Sequence, residues 1–425
     1  MRLLMPLALL ASFASLASAA DLEHAIDAAV PAAVEARHHI HRNPELSNRE
    51  FETAKYVAKR LKMLGYEVRT GLAKTGVVGI LRGARPGPVV AARADMDALP
   101  VTEQTDFPFR STRRSTYLGQ EVGVAHACGH DVHTAVLLGT AEVLAAMKAT
   151  LPGTVMLVFQ PAEEGPPPGE EGGAPLMLKE GLFDDLKPAA MFALHAFPDW
   201  TVGQVAVTAG PVYASSDTVT IRIHGKQAHG AYPHLAVDPI VMAAQAVLML
   251  QTIRSRNVPP REAAVVTIGA IHGGERFNII PDAVELRGTV RTYSPDMQDL
   301  IERRMHEILD GVTKAGGGHY ELDYHRENPP TVNHRGLSAW ARGRLIAALG
   351  AEHVIDAEPT MGAEDFAWFA QEVPGFYFRL GTTRPGTESG GLHTPTFRAD
   401  DAAIPVGIRA MTTLVLDFLN APPEL

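Results

Sequence analysis

Eight residues, HACGHDVH (126–133), place the only cysteine of a chain with 18 histidines between His126 and His130. A thiolate and an imidazole two positions apart could converge on one cation, although the same octet also fits a polar turn. QPAEE adds adjacent carboxylates, Glu163 and Glu164. On an extended backbone neighbouring side chains point apart, so one glutamate can bind a metal while the other faces a substrate. His195 closes the apolar run AMFALH, and His393 precedes a proline-fixed turn in LHTPTF. Taken singly, these read equally well as a solvated loop, a capped core histidine or a turn. Together, Cys128, His130, Glu164, His195 and His393 offer more N, S and O ligands than one structural zinc takes, which is usually four. The set suits two catalytic metals that share a water and keep open positions.

Elements of the right kind exist to position them. Residues 21–64 read helical, with a pause at Asn43-Pro44 and a stop at Gly65. Apolar β-rich runs follow at 77–81, 88–96, 154–160 and 189–197, with a helical pattern at 131–148 between them. Such strands, alternating with helices, predict an α/β layer buried on both faces. ADMD, QPAEE and LHAF sit at the ends of three of these runs, where open α/β sheets gather their ligands. The middle of the chain reads differently. Strands at 217–225, 263–271, 283–293 and 319–325, a helix at 238–253 and a second helix carrying Met297, Ile301, Met305, Ile308 and Val312 give the order β-α-β-β-α-β. The expected organisation is a leader at 1–20, a catalytic domain over 21–211 and 327–425, and an inserted ferredoxin-like lid at 212–326. PAEEGPPPGEEGG (161–173) reads as a loop within the catalytic domain.

The leader reading rests on Arg2, an apolar run from Leu3 to about Leu16 and the A-x-A spacing of Ala17 and Ala19. Export to the periplasm or the medium follows as an expectation. With one cysteine there is no internal disulfide framework, and metal ligation would protect an exported thiol from oxidation. A net charge of −10 provides no basic footprint for nucleic acid or an anionic membrane.

HACGHD, QPAEE, the LH of the fourth strand, the GKxxH…PH…DP stretch, FNIIPD and LHxPxF occur in this order. The set resembles the co-catalytic metallo-amidohydrolase family of hippurate hydrolase, indole-acetyl-amino-acid hydrolases and N-acyl-amino-acid deacylases and carboxypeptidases. The resemblance covers nearly the whole chain after the leader. It implies a metallopeptidase-like α/β catalytic domain with an inserted lid that also dimerises. It implies two divalent ions per subunit (zinc, manganese, cobalt or nickel) held by Cys128, His130, Glu164, His195 and His393. Glu163 becomes the general base that takes a proton from the bridging water and delivers it to the leaving nitrogen. His229, in GKQAHGAYPH, becomes the lid donor to the oxyanion, reaching across a homodimer. Asn278 and Arg291 correspond to lid positions that hold the substrate's carboxylate. Asp95-Met96-Asp97 stands where more distant relatives carry His-x-Asp, which casts Asp97 as a carboxylate orienting a ligand from behind. Gln227-Ala228 replaces the family's usual pair of glycines, and Glu364 in GAED falls near the site with no role assigned. The implied reaction is hydrolysis of the amide bond of a small N-acyl amino acid or short peptide. Two alternatives remain at this level: an aminopeptidase or dipeptidase acting on free-amine peptides, and an exported binding protein without activity.

Overall fold

The structure, a computed structural model, describes residues 19–425. The leader expected at 1–20 therefore lies almost wholly outside the described residues. Helices α1 (Ala19–Arg42) and α2 (Phe51–Met63) open the fold, followed by strands β1 (Glu67–Leu72), β2 (Gly76–Arg82) and β3 (Arg85–Asp95). A hairpin of β4 (Arg114–Tyr117) and β5 (Gln120–Gly123) leads to α3 (His130–Ala146) and β6 (Pro152–Gln160). Then come α4 (Gly173–Lys179), β7 (Ala190–Thr201), β8 (Val205–Val207) and β9 (Gly210–Tyr213). The second unit contains β10 (Ser216–His224), β11 (Ala228–His229), α5 (Pro239–Thr252) and β12 (Ala264–His272). It continues with β13 (Ile279–Ile280), β14 (Ala283–Thr292), α6 (Pro295–Gly316) and β15 (His319–Asn328). The chain finishes with β16 (Thr331–Asn333), α7 (Arg335–Leu349), β17 (Val354–Asp356), α8 (Phe366–Glu372), β18 (Gly375–Thr383) and α9 (Ala403–Asn420).

Local chemistry accounts for the helix boundaries. Helix α2 buries Thr53, Val57, Ala58 and Leu61 on one face. It ends because Gly65 adopts φ 81°, letting Gly65 N bond Lys62 O and Tyr66 N bond Leu61 O. That paired closure needs a left-handed residue, which glycine supplies without steric cost. Helix α5 starts at Pro239 because the Asp238 carboxylate accepts from Ile240 N and Val241 N.

Eight strands form the main sheet in the order β1-β2-β6-β3-β7-β18-β8-β17. Its centre is parallel, and both faces are covered. Val155, Leu157 and Phe159 pack towards α1, α3 and α9, while Met156 and Val158 pack towards α4 and α8. This two-sided burial is why the strands read as continuous apolar runs. Helix α9 has the length and apolarity to cross a membrane, but 72% of it is buried inside the protein, as a core helix would be.

A separate antiparallel sheet, in the order β12-β14-β10-β15, carries α5 and α6. It has its own core, including Val219, Ile221, Met242, Leu250, Leu286 and Met305. The α/β class and the inserted β-α-β-β-α-β unit are as the periodicities indicate. One expectation needs correcting. His195 does not end its strand, because β7 continues to Thr201, paired with β18. What stops near it is the other neighbour: β3 pairs with β7 only as far as Arg93 opposite Ala193. His195 thus lies just past the point where β3 parts from β7, while β3 stays paired with β6 as far as Asp95 opposite Gln160.

Candidate metal centre

Three segments converge where β3, β6 and β7 part. β3 ends at Asp95 and the chain runs on through Asp97, and after β6 it runs through Glu163 and Glu164. The third segment is the Cys128-Gly129-His130 turn into α3. Gly129 sits at φ 87°, and a Cβ on it would lie 2.8 Å from the Ala196 side chain. Only glycine lets this turn press against β7, and that approach brings Cys128 to His195. His393 enters from a loop before α9. It is left-handed too, at φ 63°, with its N–H held 2.8 Å from Ala127 O.

The donor atoms gather tightly. Cys128 Sγ is 3.4 Å from His195 Nε2 and 3.3 Å from His393 Nε2. His393 Nε2 is 3.2 Å from Glu164 Oε1. His130 Nε2 lies 3.8 Å from Glu163 and 3.9 Å from Glu164. Within each of the groups Cys128–His130–His195, Cys128–Glu164–His393 and His130–Glu163–Glu164, the donor atoms lie within 4.8 Å of one another.

The hydrogen bonds behind these donors aim them inward. His130 Nδ1 donates to Asp97 O at 2.8 Å, and His195 Nδ1 donates to Ala196 O at 2.8 Å. Each ring is left with its Nε2 lone pair facing the cluster, the arrangement a metal-binding histidine requires. His130 Nε2 is buried without any hydrogen-bond partner among the described residues. Unsatisfied buried polar atoms are rare and call for an explanation.

Charge points the same way. Burial, then Glu364 and Glu164, hold the Glu163 carboxyl well above the usual range. Burial and Glu164 push the Cys128 thiol well up. Burial opposes charge on His130, yet Asp95 and Asp97 raise it well above an ordinary histidine. A pocket of crowded acids that pulls protons onto its histidine attracts a divalent cation in their place. The residues present therefore fit bound metal.

Asp97 lies behind this cluster. Its carboxylate accepts from Glu163 N and Glu164 N, each at 3.1 Å, and from Ser47 Oγ at 2.8 Å. One further layer joins residues to which the sequence assigns no role. Asp95 spans His133 Nδ1 at 2.5 Å and Arg93 Nη1 at 2.8 Å. Arg93 also reaches Glu364 at 2.8 Å, and Glu364 in turn accepts from Tyr377 Oη. His133 Nε2 accepts from Ala196 N at 2.6 Å, so its proton sits on Nδ1, facing Asp95. Glu364 in GAED is expected near the site without a role, and His133 lies one helical turn beyond His130; their joining through Asp95 and Arg93 has no signal in the sequence. Glu163 accepts from Asp365 N at 3.3 Å, which puts GAED beside Glu163.

A cavity of about 1160 Å³ opens above the cluster. Its lining includes Cys128, Glu163, Glu164, His195 and His393 together with Arg291, Tyr213, Trp368 and Leu392. Arg291 is half-buried, its guanidinium held by Thr289 Oγ1 and Val290 O, and it has no carboxylate partner among the described residues. The structure does not bring the other two lid positions to the cavity of the same chain. His229 is exposed on β11, its Nδ1 accepting only from Ala231 N, and Asn278 sits beside β13 outside the cavity lining.

Comparison with known proteins agrees with this geometry. Residues 91–417 match the model of peptidase family M20/M25/M40. The N-acetyl-L-cysteine deacetylase of Bacillus subtilis is 38% identical over 368 residues, covering 87% of this chain and 83% of that protein. Thermostable carboxypeptidase 2 of Saccharolobus solfataricus is 37% identical over 91% of this chain and 95% of its own. The crystal structure of the Bacillus subtilis YXEP protein, described as a dinuclear metal-binding peptidase of the M20 family, superposes with a TM-score of 0.79. It is 34% identical and covers 93% of this chain and 99% of that one. A donor cluster suited to divalent metals, on a fold shared end to end with such enzymes, leads to one conclusion: the chain belongs to peptidase family M20/M25/M40 and is a metal-dependent hydrolase of amide bonds.

Proposed function

We propose that the chain removes the acyl group from N-acyl amino acids, or the last residue from short peptides, and that it requires the substrate's free carboxylate. The observation that carries this reading is Arg291, an unpaired guanidinium on the wall of a cavity whose floor is the donor cluster. A carboxylate is its natural partner, and a paired, hydrogen-bonded carboxylate would position the neighbouring amide bond. The names of the two relatives point the same way, since an N-acetyl amino acid and a carboxypeptidase substrate both present a carboxylate next to the bond that breaks.

In this reading Cys128, His130, Glu164, His195 and His393 hold two divalent ions, among which the thiolate favours the softer ones. When bound, these ions supply Lewis acidity and an acidified water. Glu163 takes the proton of the attacking water and passes it to the leaving nitrogen.

The second copy of the chain belongs to the same proposal. Strand β12 is a sheet edge, with Ile271 exposed. Helix α5 buries Met242, Ala246 and Leu250 inward yet also turns Val241 and Leu248 outward. A helix apolar on both sides needs a second surface to cover it, and an unpaired edge needs another strand. A two-fold dimer through this face supplies both and carries His229 and Asn278 to the opposite cavity. Export, read from the leader, completes the proposal.

Mass-spectrometric assay of three matched substrates tests it: an N-acetyl amino acid, its C-terminal amide, and a dipeptide with a free amine. Cleavage of the acid but not of its amide is expected. Cleavage that tracks the free amine instead would overturn this reading in favour of an aminopeptidase.

A further inference from the structure

Three successive peptide N–H groups, those of Ala162, Glu163 and Glu164, end on two buried carboxylates. Asp97 takes the second and third, one on each oxygen. The first goes to Glu50, whose Oε1 accepts from Ala162 N at 2.9 Å. Glu50 comes from a different part of the fold, the residue preceding α2, and is 0% exposed. Ala162 is held at φ 51°, a left-handed conformation that a residue with a Cβ adopts only when its surroundings demand it. The direction of the next two side chains depends on that turn.

We propose that Glu50 is a positioning residue for the catalytic loop: by capturing the Ala162 N–H it sets where the Glu163 and Glu164 carboxylates point. The claim rests on the roles given to those two glutamates above. The two gripping carboxylates differ in their surroundings. Both oxygens of Asp97 face a peptide N–H, so an amide nitrogen in either position would oppose a donor. Only Oε1 of Glu50 does so, since Asn48 N donates to the same oxygen at 3.0 Å. Oε2 meets the Thr75 hydroxyl at 2.7 Å, which can donate or accept. Glu50 therefore acts through reach and shape, and its charge is dispensable. Burial and the neighbouring Asp97 push Glu50 up to about 8, which is consistent with a neutral carboxyl.

Glu50→Gln keeps the reach and removes the ionisable group, whereas Glu50→Asp keeps the carboxyl and withdraws the acceptor by one methylene. For Glu50→Gln, kcat is expected within about threefold of wild type. For Glu50→Asp, kcat should fall roughly tenfold or more with KM within about twofold, as expected when a buried donor loses its acceptor. Chelator-competition titration of metal-stripped protein with Zn(II) should show weakened affinity in Glu50→Asp and not in Glu50→Gln, because Glu164 moves with Glu163. Asp97→Asn should lose both turnover and affinity. The proposal is overturned if Glu50→Asp keeps wild-type kcat and metal affinity, or if Glu50→Gln is damaged as much as Glu50→Asp. A Glu163→Gln control that stays active would overturn the base assignment, while the affinity comparison would still decide the Glu50 claim through Glu164.

Discussion

In the cluster on the cavity floor, His130, Glu163, Glu164 and His195 are each held from behind by another buried group. The tip of the lid is held by far less. Strand β11 pairs with β13 through only two residue pairs, Ala228 with Ile280 and His229 with Ile279. Phe277, next to Asn278, is 98% exposed. The cluster is preorganised inside one chain and needs only cations to complete it. The tip carries His229 and Asn278, neither of which lines the cavity of its own chain among the described residues. Catalytic groups gain most from rigid placement, and the floor of the cavity has it already. In the proposed dimer the lid gains it by docking.

The largest effect is expected at the floor. Glu163→Gln preserves shape but removes the proton acceptor, so turnover should fall by ~10²–10⁴ while metal content stays at the wild-type level. Loss of metal together with activity would move Glu163 into the ligand set and erase the division of labour between the two glutamates. At the tip, His229→Ala should cost ~10²–10³ in rate and leave a folded, metal-loaded protein. Mixing it with Glu163→Gln under subunit exchange should restore activity, since such a heterodimer has one site with both residues intact. If confirmed heterodimers show no recovery, His229 acts within its own chain or not at all.

Alkylation of Cys128 tests the floor more gently. With metal bound the thiolate is coordinated and shielded, so labelling should be slow and should quicken several-fold after chelation. Equal rates in the two states would remove Cys128 from the ligand set.

The smallest effect concerns how the floor is anchored. His41, near the end of α1, lies 2.8 Å from Asp131 in the first turn of α3 and 3.1 Å from Glu103. Burial opposes its charge, but Asp131 and then Glu103 raise it to about 9. A histidine raised in the folded state stabilises fully below its unfolded value of about 6.5, and that contribution is lost as pH climbs through 9. Thermal unfolding midpoints should therefore drop by roughly a few degrees over this window in wild type, and less in His41→Gln. Parallel curves for the two proteins would show that His41 is not the group responsible.

Much of this molecule is legible along the chain because the relevant physics is local. Alternation in DTVTIRIH and helical spacing in α6 each report a face that must be buried, and within HACGHD and within QPAEE the donor residues lie only a few positions apart. The lid's β-α-β-β-α-β order follows from such periods alone. What tertiary structure alone decided is whatever depends on a partner distant in sequence. Strand β7 outruns AMFALH because β18 continues beside it, so His195 lies within the strand and not at its end. Glu50 looks like any glutamate before a helix until Ala162, 112 residues away, donates to it. Asp95, His133, Arg93 and Glu364 become one network only when three separate segments meet beneath the site. A buried polar group is satisfied by whichever donor folding brings to it, and no local spacing encodes that choice. The placement of His229 outside its own chain's cavity belongs to the same category, because it depends on how two sheets are oriented in space.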